Sequence, residues 1–189
     1  MPAMIPEKTT ESAWNVVVTI AENAFRDAHR LLSRWGRVMR TSFYNVLAVQ
    51  VKDPHLFLTE FAAAVANAPH LLNIISRVVP AHHTFHFLTR EEFEQKVRDI
   101  VLKWLPELAG TSFHVRIRRR GGKRVLSPRA TERFLDGMLL RALEAQGTPG
   151  RINFDDPDRI IQIETINDRA GVSLWSREHR LNYPFLGID

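Results

Sequence analysis

A chain of 189 residues with 44% hydrophobic and 25% charged residues has the composition of a globular protein able to bury a core, and its length leaves room for one domain or two small ones. It contains no cysteine, which excludes disulfide scaffolds, thiolate nucleophiles, iron–sulfur clusters and cysteine-built zinc sites. The formal net charge of +5 is unevenly placed: between positions 112 and 133 eight basic residues stand against the single acidic Glu132, while the rest of the chain has 18 basic and 20 acidic residues.

Residues 1–13 form a polar leader without the basic and apolar stretches of a signal peptide. Alternation of Trp14, Val16, Val18 and Ile20 predicts a strand with those four side chains on one face. Asn23 is positioned to cap a helix whose Phe25, Ala28, Leu31, Leu32 and Trp35 recur at helical spacing, with Gly36 as its stop. Two β-rich runs, 37–43 and 46–51, flank a turn at Tyr44-Asn45. Asp53-Pro54 opens a second helix with Phe57, Phe61, Ala64 and Val65 inward, and an extended run over 77–88 follows. This succession, βαββαβ, predicts a ferredoxin-like unit with both helices on one face of an antiparallel sheet. Segment 61–76, the longest without charge, is too short and too polar to span a bilayer, so a cytoplasmic protein without a membrane partner is expected.

Thr89 and Glu92 have capping-box spacing ahead of a helix striped by Phe93, Val97, Ile100, Val101 and Trp104, which ends near Pro106 and Gly110. Phe113, Val115 and Ile117 then alternate with His114, Arg116 and Arg118, the pattern of a strand with one basic face. Gly121-Gly122 breaks the strand, Ser127-Pro128 starts a helix with Phe134, Leu135, Met138, Leu139, Ala142 and Leu143 buried, and two β runs, 160–166 and 170–175, turn at 167–169. No period is legible beyond 177. The chain divides near Leu88 into two α/β units, giving an α+β protein of sandwich type.

The basic strand and loop supply the candidate binding residues: Arg116, Arg118, Arg119, Arg120, Lys123 and Arg124, extended onto the helix by Arg129 and Arg133, which share a helix face. Guanidinium forks match phosphate oxygens, and paired glycines let a backbone approach a bulky ligand, so a nucleic acid is the expected partner. His82, His83 and His86 do not converge on one ion from a strand, since His82 and His86 would lie about 13 Å apart at ~3.3 Å per residue. Asp155, Asp156 and Asp158 around Pro157 read as a capped turn. No phosphate-binding loop, nucleophile elbow or zinc-protease motif occurs, so neither a catalytic residue, a metal nor a cofactor is assigned.

The succession Phe113-His-Val-Arg-Ile-Arg-Arg-Arg-Gly-Gly, the helix from Ser127-Pro128, the segment Asn153-Phe-Asp-Asp-Pro-Asp-Arg-Ile-Ile-Gln-Ile-Glu164 and Ala170-Gly-Val-Ser-Leu together resemble the THUMP domain, an RNA-binding module of tRNA-modifying proteins often preceded by a ferredoxin-like unit. The resemblance covers about residues 77–175, giving a leader at 1–13, a ferredoxin-like domain at 14–76, a THUMP domain at 77–175 and a tail at 176–189. It implies a tRNA partner. The free-standing form is most like the adaptor that assists tRNA acetylation, implying a non-catalytic protein presenting tRNA to a separate modification enzyme; a stand-alone RNA-modifying enzyme and a module for an acidic protein are the alternatives.

Overall fold

The computed structural model describes residues 13–188, so the predicted leader falls, apart from Ala13, outside the described residues. In the first unit β1 (Val16–Ile20), α1 (Phe25–Leu32), β2 (Gly36–Arg40), β3 (Val46–Val51), α2 (Pro54–Asn67) and β4 (Ile75–Pro80) build an antiparallel sheet of order β2-β3-β1-β4. Ala28, Leu31 and Leu32 of α1 and Phe57, Leu58 and Phe61 of α2 share one core with Val16, Val18 and Ile20, which places both helices on one face. This is the ferredoxin-like topology that the element order predicts.

The opposite face is also covered, which explains why Val16-Val17-Val18 is continuously apolar. Val17 and Ala48 pack there with Ile166 of the second unit. Trp14 joins this cluster rather than the face of Val16, a departure from the predicted alternation; it precedes β1 and fills the space above Gly171, where a Cβ would lie 2.8 Å from its ring. Asn23 does not cap α1. It adopts a left-handed φ of 60°, and Ala24 occupies the cap position without a side-chain bond. Gly36, predicted as a helix stop, instead begins β2, where any Cβ would fall 2.1 Å from the Gln50 carbonyl oxygen. Asp53 does cap α2, accepting from the His55 and Leu56 amides at 2.9 and 3.1 Å.

The extended run over 77–88 is two strands in different sheets. β4 pairs with β1, the chain crosses at Ala81-His82, and β5 (His83–His86) pairs with β9 (Arg169–Ser176). The second sheet has the order β5-β9-β8-β6-β7, with β6 (Ser112–Arg120) parallel to both β8 (Arg159–Ile166) and the short β7 (Arg151–Ile152). α3 (Arg90–Val101), α4 (Leu105–Leu108) and α5 (Pro128–Ala145) bury Phe93, Val97, Leu135 and Leu139 against Phe113, Val115 and Ile117 of β6. Thr89 accepts from the Glu92 amide at 3.1 Å, while Glu92 reaches back to the amide of Leu88 rather than that of Thr89.

The tail is ordered into α6 (Arg177–Asn182) and a 3-10 turn over Pro184–Leu186. Its Phe185, Leu186 and Ile188 return to the core of the first unit, with Phe185 edge-on to Phe61 at 4.9 Å. None of the described helices is long and apolar enough to cross a membrane.

Candidate nucleic-acid interface

β6 enters the sheet through a clamp. Asp158, just before β8, accepts from the Ser112 amide and hydroxyl, both at 2.8 Å, which fixes the start of β6 beside β8. These bonds, with an ion pair to Arg177, hold its carboxyl down at about 2. Asp156 also pairs with Arg177, and Asn153 accepts from the amides of Asp155 and Asp156. The aspartate cluster is thus a closed turn that positions the basic strand.

Beyond Phe113 the outer edge of β6 has no strand partner among the described residues, because β7 pairs only with Ser112 and Phe113. Two α5 carboxylates occupy it instead: Asp136 accepts from the Val115 amide at 2.8 Å and Glu132 from the Ile117 amide at 2.7 Å. The edge is therefore closed to strand addition, and what β6 offers outward is its side chains. Burial pushes the Asp136 carboxyl up to about 7, with the Val115 N–H opposing and Glu132 reinforcing. From its ordinary 3.8 to about 7 the folded chain retains a proton that the unfolded chain has lost, so this group's contribution to stability falls as pH rises through that window and is constant above it. Asp136→Asn keeps an oxygen for Val115 and removes the charge. It is expected to raise the melting temperature by roughly a few degrees more at pH 8 than at pH 5, where only part of the loss has accrued; an equal shift at both pH values would remove burial of the charge as the cause.

The eight basic side chains separate into two groups. Arg116, Arg118, Lys123, Arg124, Arg129 and Arg133 are exposed along β6, the following loop and the first turns of α5. Arg119 and Arg120 are half-buried and engaged: Arg119 donates to the Leu126 carbonyl at 2.7 Å, bracing the loop, and Arg120 pairs with Glu164 Oε2 at 2.5 Å. These two act first as supports, because their guanidiniums already have partners inside the fold.

Glu164 is the organising group that the sequence pattern hides. It lies directly opposite Arg118 in the β6–β8 register, is 2% exposed, and also accepts from Arg77 at 2.5 Å and Gln162 at 2.7 Å. Alternation with the isoleucines of β8 would assign Gln162 and Glu164 to a solvated face. That face is instead covered by the first unit, so the carboxylate is buried and Arg77 arrives from β4 to meet it. One carboxylate therefore serves Arg77 and Arg120 while Arg118 stands beside them. Partial burial first, then the neighbouring charge of Arg77, pulls the Arg118 pKa below its ordinary value. This is a site of unbalanced positive potential with an exposed guanidinium at its mouth.

Gly121 and Gly122 take φ values of 78° and 60°, which favour glycine, and Gly121 is pressed against Asn167, whose Oδ1 would lie 2.5 Å from a Cβ there. The histidines do not converge. His82 accepts the Leu174 amide at Nδ1, His83 packs near Trp104, and His86 lies beside Arg169. Among the described residues no group of three or more histidine, aspartate or glutamate side chains is placed to hold a metal ion. His114 is buried with Nδ1 at 2.8 Å from the Asn153 carbonyl, so the basic face of β6 starts at Arg116.

No protein-family model and no curated protein matches this chain. Solved structures share its fold. PH1313 from Pyrococcus horikoshii is similar over 85% of this chain at 15% identity with a TM-score of 0.53. TrmN from Thermus thermophilus is similar over 84% at 17% identity and 0.54, and a 4-thiouridine synthetase solved as an RNA complex with bound ATP over 86% at 12% identity and 0.51. The chain spans 54%, 44% and 41% of those three chains. The architecture is the α+β arrangement that the sequence led us to expect, a ferredoxin-like unit followed by a THUMP-like one.

Proposed function

We propose that this protein binds RNA, specifically tRNA, along Arg116, Arg118, Lys123, Arg124, Arg129 and Arg133, and acts as a non-catalytic adaptor that presents the tRNA to a separate modification enzyme. The observation that carries this is the uneven ratio at Glu164: three guanidiniums, those of Arg77, Arg118 and Arg120, surround one carboxylate, and Arg118 opens to solvent. A phosphate there relieves repulsion between like charges that the fold itself leaves in place. The likeness to a synthetase solved with RNA supports the choice of polyanion. The chemistry of the strip supports a holding role, since guanidinium and ammonium groups bind a phosphate chain by charge and forked hydrogen bonds.

Filter binding of tRNA over a salt series tests the reading. With on the order of five phosphate contacts, log K is expected to fall against log salt with a slope of roughly −3.5 on single-stranded regions and more steeply on duplex. A slope near zero overturns RNA binding by charge. Nucleoside mass spectrometry of tRNA incubated with the protein and a panel of cofactors is expected to show no altered base; a change would replace the adaptor by an enzyme.

A further inference from the structure

A second cluster of cations lies on the first unit. Between positions 26 and 40 five arginines, Arg26, Arg30, Arg34, Arg37 and Arg40, accompany one acidic residue, Asp27. α1 and the edge strand β2 bring three of them around a hollow of about 580 Å³ lined by Phe25, Arg26, His29, Arg30, Val38 and Arg40. Its floor is apolar, from Phe25 and Val38, and its rim is cationic. The Arg40 guanidinium lies over the Phe25 ring at 3.7 Å from the centroid, a stacking that holds it in place. Asp27 lies 3.9 Å from Arg30 with both side chains well exposed, too weak a pairing to neutralise the rim.

This hollow adjoins the strip already described. Phe25 and Arg40 also line a neighbouring depression that includes Phe43 and Tyr44 at the tip of the β2–β3 hairpin. Phe43 in turn reaches the glycine loop of the second unit, its Cζ 3.3 Å from where a Cβ on Gly121 would sit. The basic loop and the α1–β2 hollow are therefore joined through the hairpin. Tyr44 is 76% exposed at that junction and is tethered by its hydroxyl, which donates to Glu22 at 3.0 Å. An exposed ring fixed at one edge, with Arg40 lining the same depression, matches an unstacked base attached to a phosphate chain.

We infer that the RNA path continues from the glycine loop over the hairpin tip into the α1–β2 hollow, with Arg26, Arg30 and Arg40 holding phosphates of a single-stranded segment and Tyr44 stacking one of its bases. This rests on the RNA-binding reading above and extends it to the first unit. The test compares two pairs of variants in the full chain by tRNA filter binding. Arg26→Gln with Arg30→Gln is expected to weaken binding about tenfold or more at 0.1 M salt and to reduce the salt slope by roughly 1.4, with an unchanged melt because both side chains are exposed. Tyr44→Ala is expected to weaken binding about tenfold with an unchanged salt slope, the signature of lost stacking rather than lost charge. If the first-unit variants bind like wild type while Arg116→Gln with Arg118→Gln weakens binding, the extended path is overturned and the strip stands. If only the first-unit variants weaken it, the path stands and the strip is overturned. If an acidic protein and not tRNA is lost from the first-unit variants, the hollow is a protein site and the inference fails.

Discussion

Exchanging Arg116 and Arg118 together for glutamate is expected to abolish tRNA retention in a gel-shift assay while leaving the thermal melt nearly unchanged. The sizes decide the design. Each phosphate contact contributes about 0.7 to the salt slope, so at 0.1 M two lost contacts weaken binding about 25-fold through counterion release alone. Reversing two charges adds repulsion and takes the loss beyond roughly a hundredfold, whereas the glutamine pair isolates the missing contacts. Both side chains point outward from β6 and are exposed, and the outer amides beneath them are already held by Asp136 and Glu132, so the strand keeps its hydrogen bonds in either variant. Binding unaffected by the glutamate pair would refute the strip.

Glu164→Ala carries the largest expected effect on stability. It removes the carboxylate with which Arg77 and Arg120 are paired, and leaves the buried Arg77 without that counter-charge. Removing one member of a buried ionic cluster costs about 3–5 kcal/mol, because the remaining charge stays desolvated. For a chain of this size that corresponds to a fall of roughly 10 °C in melting temperature. Calorimetry of Glu164→Ala and of Glu164→Gln, which keeps an acceptor oxygen but no charge, is expected to place glutamine between wild type and alanine. A fall below about 2 °C for alanine would show that water or rearranged backbone carbonyls satisfy the guanidiniums equally well. Since either variant leaves the three arginines less neutralised, sulfate is expected to restore more of its stability than it gives the wild type.

The basic strip was legible because it rests on local pattern: β alternation separates Arg116 and Arg118 from Val115 and Ile117, and no long-range contact is needed to read it. Asp53 and Thr89 were legible for the same reason, a cap being a bond across three residues. What escaped depends on which surface covers which. Glu164 sits in a run whose alternation would leave it wet, and only the docking of the first unit on that face makes it a buried partner of Arg77. Arg119 and Arg120 read like their neighbours, yet one braces Leu126 and the other faces Glu164. Gly36 and Asn23 look like helix punctuation until the backbone beside them is seen. The tail has no period because Phe185, Leu186 and Ile188 serve a core begun more than a hundred residues earlier.

That last feature governs how the molecule can be dissected. The first core is closed by the final residues of the described chain, so a fragment ending between β4 and β5 would expose Phe61 where Phe185 now lies, and the complementary fragment would retain a sticky, unhoused terminus. Comparing half-molecules would thus report damaged pieces. Point substitutions in the intact polypeptide are the sound way to apportion affinity between its two lobes.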